Sequence, residues 1–200
     1  MEISKILKRL FDLIISTFGI ILVSPILIVI AVLIKIESKG PVFFKQQRLG
    51  LNGLPFSIYK FRTMIVGAEK IGDGLKVRSE VDSRITKIGQ FLRKTSLDEL
   101  PQFFNVIKGD MSLVGPRPPV TYHPYDGYGN YPEWAKMRFC MRPGVTGLSQ
   151  VTVRNSVPWD ERIKYDNKYI TEFSLLLDLK ILLKTIYKIF KPDSIYLKGD

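Results

Sequence analysis

Residues 13–34 form an apolar run of about 22 residues with Ser24-Pro25 at its centre. At about 1.5 Å per helical residue, the run predicts a helix long enough to cross a hydrocarbon core of about 30 Å. Two details point instead to a hairpin that re-enters the same leaflet. Lys5, Lys8 and Arg9 precede the run and Lys35, Lys39, Lys45 and Arg48 follow it, whereas a spanning helix keeps its Lys/Arg excess on one side. Pro25 cannot donate to the helical ladder and crowds the preceding turn, while the Ser24 hydroxyl can bond a carbonyl that the break releases. On this physics alone a proline-kinked spanning helix stays open as an alternative. A cleaved signal peptide fits poorly, because its apolar region is usually about 7–15 residues and no Ala-x-Ala-like site follows here.

Beyond the run the period changes. Residues 41–49 and 54–61 read as strands joined around Asn52-Gly53, a strong hairpin signal. Residues 64–81, with Glu69, Lys70 and Asp73, have no sustained period and predict a mixed or loop-like segment. From Ser83 onward, Ile85, Ile88, Phe91 and Leu92 recur at helical spacing opposite Arg84, Lys87, Arg93 and Lys94, which predicts a short basic amphipathic helix. Ser96 and Glu99 then have capping-box spacing, and Pro101 suits the start of a helix that ends near Gly109. Residues 122–134, rich in Tyr, Gly and Pro, predict a long loop. Near the end, Leu176, Leu179, Leu183, Ile186 and Phe190 share one face, with Lys180, Lys184, Lys188 and Lys191 as a stripe. Beside an apolar N-terminus, such a helix suits a headgroup layer better than plain solvent.

Composition narrows the chemistry. Thirty Lys+Arg against nineteen Asp+Glu leave a net charge of +11, which suits an anionic lipid surface, a nucleic acid or a phosphorylated substrate. The membrane segment favours lipid and phosphate. With one cysteine, Cys140, and one histidine, His123, a disulfide within the chain, a zinc site of the usual Cys/His kind and a Cys-x-x-Cys centre are excluded. Any metal must sit on oxygen ligands. His123 reads as a loop residue and Cys140 as a small buried apolar one. There is no Gly-x4-Gly-Lys-Ser/Thr loop and no Gly-x-Gly-x-x-Gly after a strand, so ATP and NAD chemistry are unsupported.

Candidate chemistry lies in Asp98-Glu99, which the capping pattern places at a helix start. The bland reading is that both carboxylates merely complement the helix dipole. Context argues for more. Lys60, Arg62, Arg117 and Arg142 are cations mostly in or beside Gly/Pro-stiffened turns, Gly115-Pro116-Arg117-Pro118 and Arg142-Pro143-Gly144-Val145-Thr146-Gly147, as suits side chains aimed at a diphosphate.

Five pieces in fixed order, the Ser24-Pro25 break, Lys60-Phe61-Arg62-Thr63-Met64, Asp98-Glu99-Leu100-Pro101-Gln102, Gly115-Pro116-Arg117-Pro118 and Arg142-Pro143-Gly144-Val145-Thr146-Gly147, resemble the bacterial sugar transferases. More narrowly, the chain resembles the small monotopic phosphoglycosyl transferases over about residues 8–191. The resemblance implies transfer of a sugar 1-phosphate from a UDP-sugar to polyprenol (undecaprenol) phosphate with release of UMP. Asp98 would attack the β-phosphate to give a covalent phosphosugar intermediate, and Mg2+ would be held by the Asp98/Glu99 region. Arg117, Arg142, Lys60 and Arg62 would bind phosphates. Glu99 could instead position the acceptor. The implied fold is α+β and mostly helical. A re-entrant helix-break-helix occupies residues 1–36, and a cytosolic catalytic domain with a β-hairpin and a C-terminal interfacial helix near 174–191 occupies residues 37–200. The implied setting is the cytoplasmic face of the bacterial inner membrane, with anionic lipid and no nucleic acid as partners and a second copy of the chain left open. The resemblance implies a chain of the small kind, without the extra N-terminal spans that larger relatives carry.

The sequence departs from the family pattern at Ser149, where relatives often have Ala, and at Val153, where they often have Gly. These departures bear on turn geometry rather than on the reaction. Asp160, Arg162 and the Asp166/Tyr169 pair fall near family-typical positions, but surface salt bridges on a helix explain them more cheaply. Two rival readings remain: hydrolysis of a membrane-bound diphosphate by the same carboxylates, and a basic membrane-tethered adaptor without catalysis.

Overall fold

The computed structural model describes residues 2–71, 82–154 and 156–190. Most of the expected loop-like stretch, including Asp73, lies outside the described residues, as do Asn155 and Lys191. Helix α1 (Glu2–Glu37) leads to strands β1 (Phe43–Leu49) and β2 (Pro55–Phe61), then helices α2 (Lys87–Thr95) and α3 (Gln102–Lys108). Strand β3 (Ser112–Val114), helix α4 (Glu133–Lys136) and strand β4 (Gly144–Thr146) follow, and α5 (Leu148–Thr152), α6 (Trp159–Thr171) and α7 (Leu175–Phe190) close the chain. The class is α+β and mostly helical, with a short antiparallel hairpin, as the pattern predicts.

Helix α1 is long and apolar enough to cross a membrane by length and composition. It carries Pro25 inside one continuous helix, where the sequence predicts two separated pieces. The reason is local. Pro25 has no N–H to give the Ile21 carbonyl four residues back, and the Ser24 hydroxyl donates to that same oxygen at 2.8 Å, so the ladder is repaired.

Both ends of α1 are tied to the same folded body. Lys8 Nζ donates to Asp178 Oδ2 of α7 at 2.6 Å. Asp12 accepts from the Ser112 hydroxyl at 2.7 Å and from the Leu113 N–H at 3.1 Å, both in β3. At the other end Glu37 accepts from the N–H groups of Lys87 and Ile88 at 2.6 and 3.0 Å, satisfying donors that the start of α2 leaves free. Ile30 and Ile34 are buried against Phe61 and Leu92, each such side chain contributing about 1.5–3 kcal/mol when fully buried. Other faces of α1 expose Phe18, Leu22 and Ile28.

Strands β1 and β2 pair antiparallel from Phe43 opposite Phe61 to Leu49 opposite Pro55. The turn works because Asn52 (φ 55°) and Gly53 (φ 74°) both take left-handed conformations. Helix α3 is keyed to this hairpin by the buried Asn105 side chain, whose Oδ1 accepts from the Tyr59 N–H at 3.0 Å and whose Nδ2 donates to the Ser57 carbonyl at 2.7 Å. One amide thus imitates a neighbouring strand along β2. Strands β3 and β4 pair in parallel, Ser112 with Gly144 and Val114 with Thr146. A Cβ on Gly144 would collide with the Gly115 nitrogen, so the two glycine motifs are needed where one backbone touches the other.

Three local expectations are corrected. Helix α2 begins at Lys87 with Thr86 as its cap, its Oγ1 accepting from the Gly89 N–H. Ile85 instead bridges Met64, and Arg84 is buried on Asp82 and on the carbonyls of Ala68 and Ile71. The capping box does not form: Ser96 sits at φ 59° without a side-chain cap, Leu97–Glu99 is a 3-10 turn, and α3 starts only after Pro101. Cys140 is exposed rather than buried.

Residues 122–132 are a loop as expected, with a 3-10 turn over Tyr128–Asn130, but the expected loop ends two residues early because α4 begins at Glu133. On α7, Ile181 is buried while Leu176, Leu179, Leu183 and Ile186 are exposed, so the apolar face read from the sequence turns away from the core. Val153 sits at φ −114°, which a β-branched residue adopts without strain.

Candidate active site

The hairpin decides which cations meet the carboxylates. In its register Arg48 pairs with Phe56 and Phe44 with Lys60. Since alternate residues share a face, Arg48 and Lys60 both point toward the body. The 3-10 turn brings Asp98 and Glu99 against that face. Lys60 Nζ lies 2.5 Å from Glu99 Oε1 and 3.9 Å from Asp98 Oδ2. Opposite stands the loop that leaves β3, whose Arg117 is framed by Pro116 and Pro118.

A cleft opens between these elements, lined by Arg48, Ile58, Lys60, Glu99, Gln102, Arg117, Val145 and Gln150. Asp98 is not part of the lining but stands at its edge, its Oδ2 3.9 Å from Lys60 Nζ. Three cations of the lining, Arg48, Lys60 and Arg117, face one carboxylate, Glu99. Arg48 is held by the Pro118 carbonyl at 3.1 Å and by Gln46 Oε1 at 2.6 Å, and its buried Nε has no hydrogen-bond partner among the described residues. Burial and the neighbouring Arg117 charge pull the Arg48 guanidinium down to about 10, so it stays protonated at neutral pH yet unfavourably placed. An anion in the cleft relieves that conflict.

The two adjacent carboxyls are driven apart. Burial pushes the Asp98 carboxyl up to about 6, against the pull of Lys60 and with help from the Glu99 charge. Glu99 bears the same desolvation, but Lys60, Arg117 and Arg48 outweigh it and hold it down at about 2. Neighbouring titratable groups with split pKa values mark functional sites more often than structural ones. Asp98 is thus the carboxyl with the more basic, less neutralised oxygen pair, and Glu99 is the one already committed to cations.

The remaining expected phosphate ligands are not brought here. Arg62 is buried, and its guanidinium donates to the carbonyls of Lys39 at 2.6 Å and Ser38 at 2.8 Å, fastening the end of α1 to β2. Arg142 is exposed, and its Nε donates to the Gly109 carbonyl at 2.8 Å. Sequence reasoning missed Arg48, Gln102 and Gln150. For Arg48 the signal was available: once Asn52-Gly53 is taken as the turn, Arg48 falls on the same face as Lys60.

Among the described residues no group of three or more His, Cys, Asp or Glu is placed to hold a metal. The donor set that is present, two adjacent carboxylates beside a cationic cleft, fits Mg2+, which is commonly held by one or two carboxylates with phosphate oxygens and water completing the shell.

Asp166 and Tyr169 are buried and do not form the surface salt bridges expected of them. Asp166 pairs with Arg138 at 2.7 Å beneath the Arg117 loop, and the Tyr169 hydroxyl donates to Asp178 at 2.7 Å. Asp160 does lie on the surface, accepting from the Tyr125 hydroxyl at 3.0 Å.

Known proteins agree in outline. A family described as bacterial sugar transferase matches residues 3–192. The chain is 44% identical over 199 residues to a UDP-glucose:undecaprenyl-phosphate glucose-1-phosphate transferase of Klebsiella pneumoniae, covering 97% of this chain and 42% of that protein. It is 44% identical over 191 residues to the galactosyl transferase CpsE of Streptococcus agalactiae, covering 90% of this chain and 41% of that protein. It is 43% identical over 190 residues to a Bacillus subtilis protein named only as the sugar transferase EpsL, covering 95% of this chain and 90% of that protein. The chain therefore spans about two fifths of the first two relatives and nearly all of the third.

Proposed function

Because the chain belongs to the bacterial sugar transferase family, we propose that it moves a sugar 1-phosphate from a UDP-sugar to undecaprenyl phosphate. The observation that carries this reading is the cleft in which Arg48, Lys60 and Arg117 outnumber the single carboxylate of Glu99, bordered by the desolvated Asp98. Such a cleft receives a diphosphate and offers it a nucleophile.

In the proposed reaction an Asp98 oxygen forms a bond to the β-phosphorus. The bond from that phosphorus to the bridging oxygen breaks, and UMP leaves with the electron pair. An oxygen of undecaprenyl phosphate then attacks the aspartyl phosphosugar, which frees Asp98 and yields the lipid diphosphate sugar. Dividing the transfer this way replaces one difficult step by two easier ones. Arg48, Lys60 and Arg117 hold the phosphates, and Glu99 keeps Lys60 in place between the carboxylates. When bound at the Asp98/Glu99 pair, Mg2+ supplies charge neutralisation on the diphosphate. Relatives named for glucose 1-phosphate and for galactosyl transfer are equally similar, so the proposal covers UDP-sugars as a class.

The proposed setting is monotopic, on the cytoplasmic face of the bacterial membrane. Lys8 and Glu37 are about 43 Å apart along a straight helix, yet both bond to the same folded body. A helix crossing a core of about 30 Å would part them. The outward apolar face of α7 and its lysines suit the headgroup layer beside it.

The test is UMP release by the full chain in nanodiscs with Mg2+, undecaprenyl phosphate and a panel of UDP-sugars. Activity that needs both lipid and Asp98, with a phosphosugar adduct on Asp98 by mass spectrometry when lipid is withheld, supports the reading. Full turnover by Asp98→Asn would sink the nucleophile assignment, and free sugar phosphate as product would favour hydrolysis.

A further inference from the structure

Pro116, Pro118 and Pro119 have no N–H, so the four residues 116–119 own one amide hydrogen, that of Arg117. Backbone bonds reach the two ends of this segment, from the Leu49 N–H to the Pro119 carbonyl at 3.0 Å and from the Gly144 N–H to the Pro116 carbonyl at 2.9 Å, but neither holds Arg117 itself, whose guanidinium must be aimed into the cleft. Both backbone groups of Arg117 face one buried ion pair. The Arg117 N–H is turned toward the Asp166 carboxylate, and Arg138 Nη2 donates to the Arg117 carbonyl at 2.6 Å. The same Nη2 reaches Asp166 Oδ2 at 2.7 Å, and Asp166 Oδ1 accepts from the Ser149 hydroxyl at 2.7 Å.

Stability alone is a poor reason for this arrangement. Arg138 and Asp166 are each 1% exposed, and a buried ion pair is often no more stabilising than apolar residues of the same volume. Nor is Arg138 fully satisfied: its Nε and Nη1 lack hydrogen-bond partners among the described residues, and the guanidinium lies over the rings of Phe139 and Trp159 at 5.7 and 5.5 Å. A group so costly to bury, with Nη2 shared between Asp166 and the Arg117 carbonyl, is holding that stretch of main chain in place.

We propose that Arg138 and Asp166 are positioning residues which clasp the main chain of Arg117 and so fix its guanidinium for diphosphate binding, with Ser149 locking the Asp166 carboxylate. The inference rests on the transferase reading for its kinetic consequence. It also gives Ser149 a use, since its hydroxyl supplies Asp166 with a bond that alanine could not.

Two variants of the full chain in nanodiscs test it. Arg138→Lys keeps the charge beside Asp166 but loses the planar fork that serves two acceptors, and Ser149→Ala removes only the lock. Two readouts are needed: hydrogen exchange at the Arg117 amide, and KM for the UDP-sugar set against kcat. For Arg138→Lys, exchange at Arg117 should speed at least about tenfold and KM should rise about tenfold with kcat within about threefold, the pattern of lost ground-state binding. Ser149→Ala should move both in the same direction by less.

Unchanged Arg117 exchange and KM in a folded Arg138→Lys protein would overturn the proposal. So would a loss confined to the folded fraction, with normal kcat and KM per folded molecule. If Arg138→Lys does not fold, Ser149→Ala decides by the same two readouts. If the wild type releases no UMP at all, the transferase reading fails, while Arg117 exchange and the affinity for UDP still judge the clasp.

Discussion

The Lys60 ammonium lies 2.5 Å from Glu99 Oε1, and the neighbouring Asp98 Oδ2 receives only its outer reach at 3.9 Å. One cation is thereby divided unequally between adjacent carboxylates, and their acidities separate. As the proposed nucleophile, Asp98 would act only when ionised. Its carboxyl is pushed up to about 6 by burial, with Lys60 opposing, so UMP release should fall about tenfold per pH unit below that value. Removing the cation removes the opposing pull. In Lys60→Met the acidic limb of the pH–rate profile should move upward by about one unit; a limb that stays in place or moves down contradicts the assignment.

Arg48 and Arg142 make opposite forecasts. Arg48 lines the cleft, so Arg48→Met should raise KM for the UDP-sugar about tenfold or more, as expected for loss of a charge-assisted phosphate contact. Arg142 is committed to the Gly109 carbonyl, and Arg142→Met should change KM less than about twofold. Steady-state kinetics of the pair distinguishes a phosphate ligand from a loop fastener.

Lys8 and Asp178 form a buried pair at 2.6 Å. Lys8→Met should destabilise the fold by about 3–5 kcal/mol, because Asp178 is left charged and buried. The double change Lys8→Met with Asp178→Leu should recover much of the loss. Thermal unfolding in one fixed detergent reads both, and a double variant no better than the single would contradict the desolvation argument.

Glu37 caps a helix that it does not belong to. Glu37→Ala should cost about 0.5–2 kcal/mol, as for loss of a helix cap, by leaving the exposed Lys87 and Ile88 N–H groups without their acceptor. Hydrogen exchange at those two amides should rise while that of the Gly89 amide, capped by Thr86, rises less.

Elements with a clean period were legible in the sequence. The β1–β2 hairpin follows from alternation around Asn52-Gly53, and the outward apolar face of α7 from spacing alone. The Ser96 to Glu99 spacing misled, because a capping box needs an extended cap residue and Ser96 is left-handed. Asp98 and Glu99 were found as a pair, but burial and Lys60 distinguish them, and neither is written in an Asp-Glu dipeptide. Arg62 looked like a phosphate ligand because a guanidinium satisfied by carbonyls 23 and 24 residues away in sequence leaves no local signature. Arg138 and Asp166, 28 residues apart, were hidden for the same reason: tertiary contact alone makes them partners.

The ties of α1 change what the word anchor means for this chain. An anchor can be cut off and leave the cargo intact. Here the helix lends Lys8 to Asp178, Asp12 to Ser112, Glu37 to the start of α2, and Ile30 and Ile34 to the core around Phe61. A fragment without it would keep its carboxylates and cations in sequence while exposing a buried acid and an apolar flank. In the proposed membrane setting, the lipid around α1 is therefore part of the solvent in which the rest of the chain folds, and its composition should register in the order of the cleft.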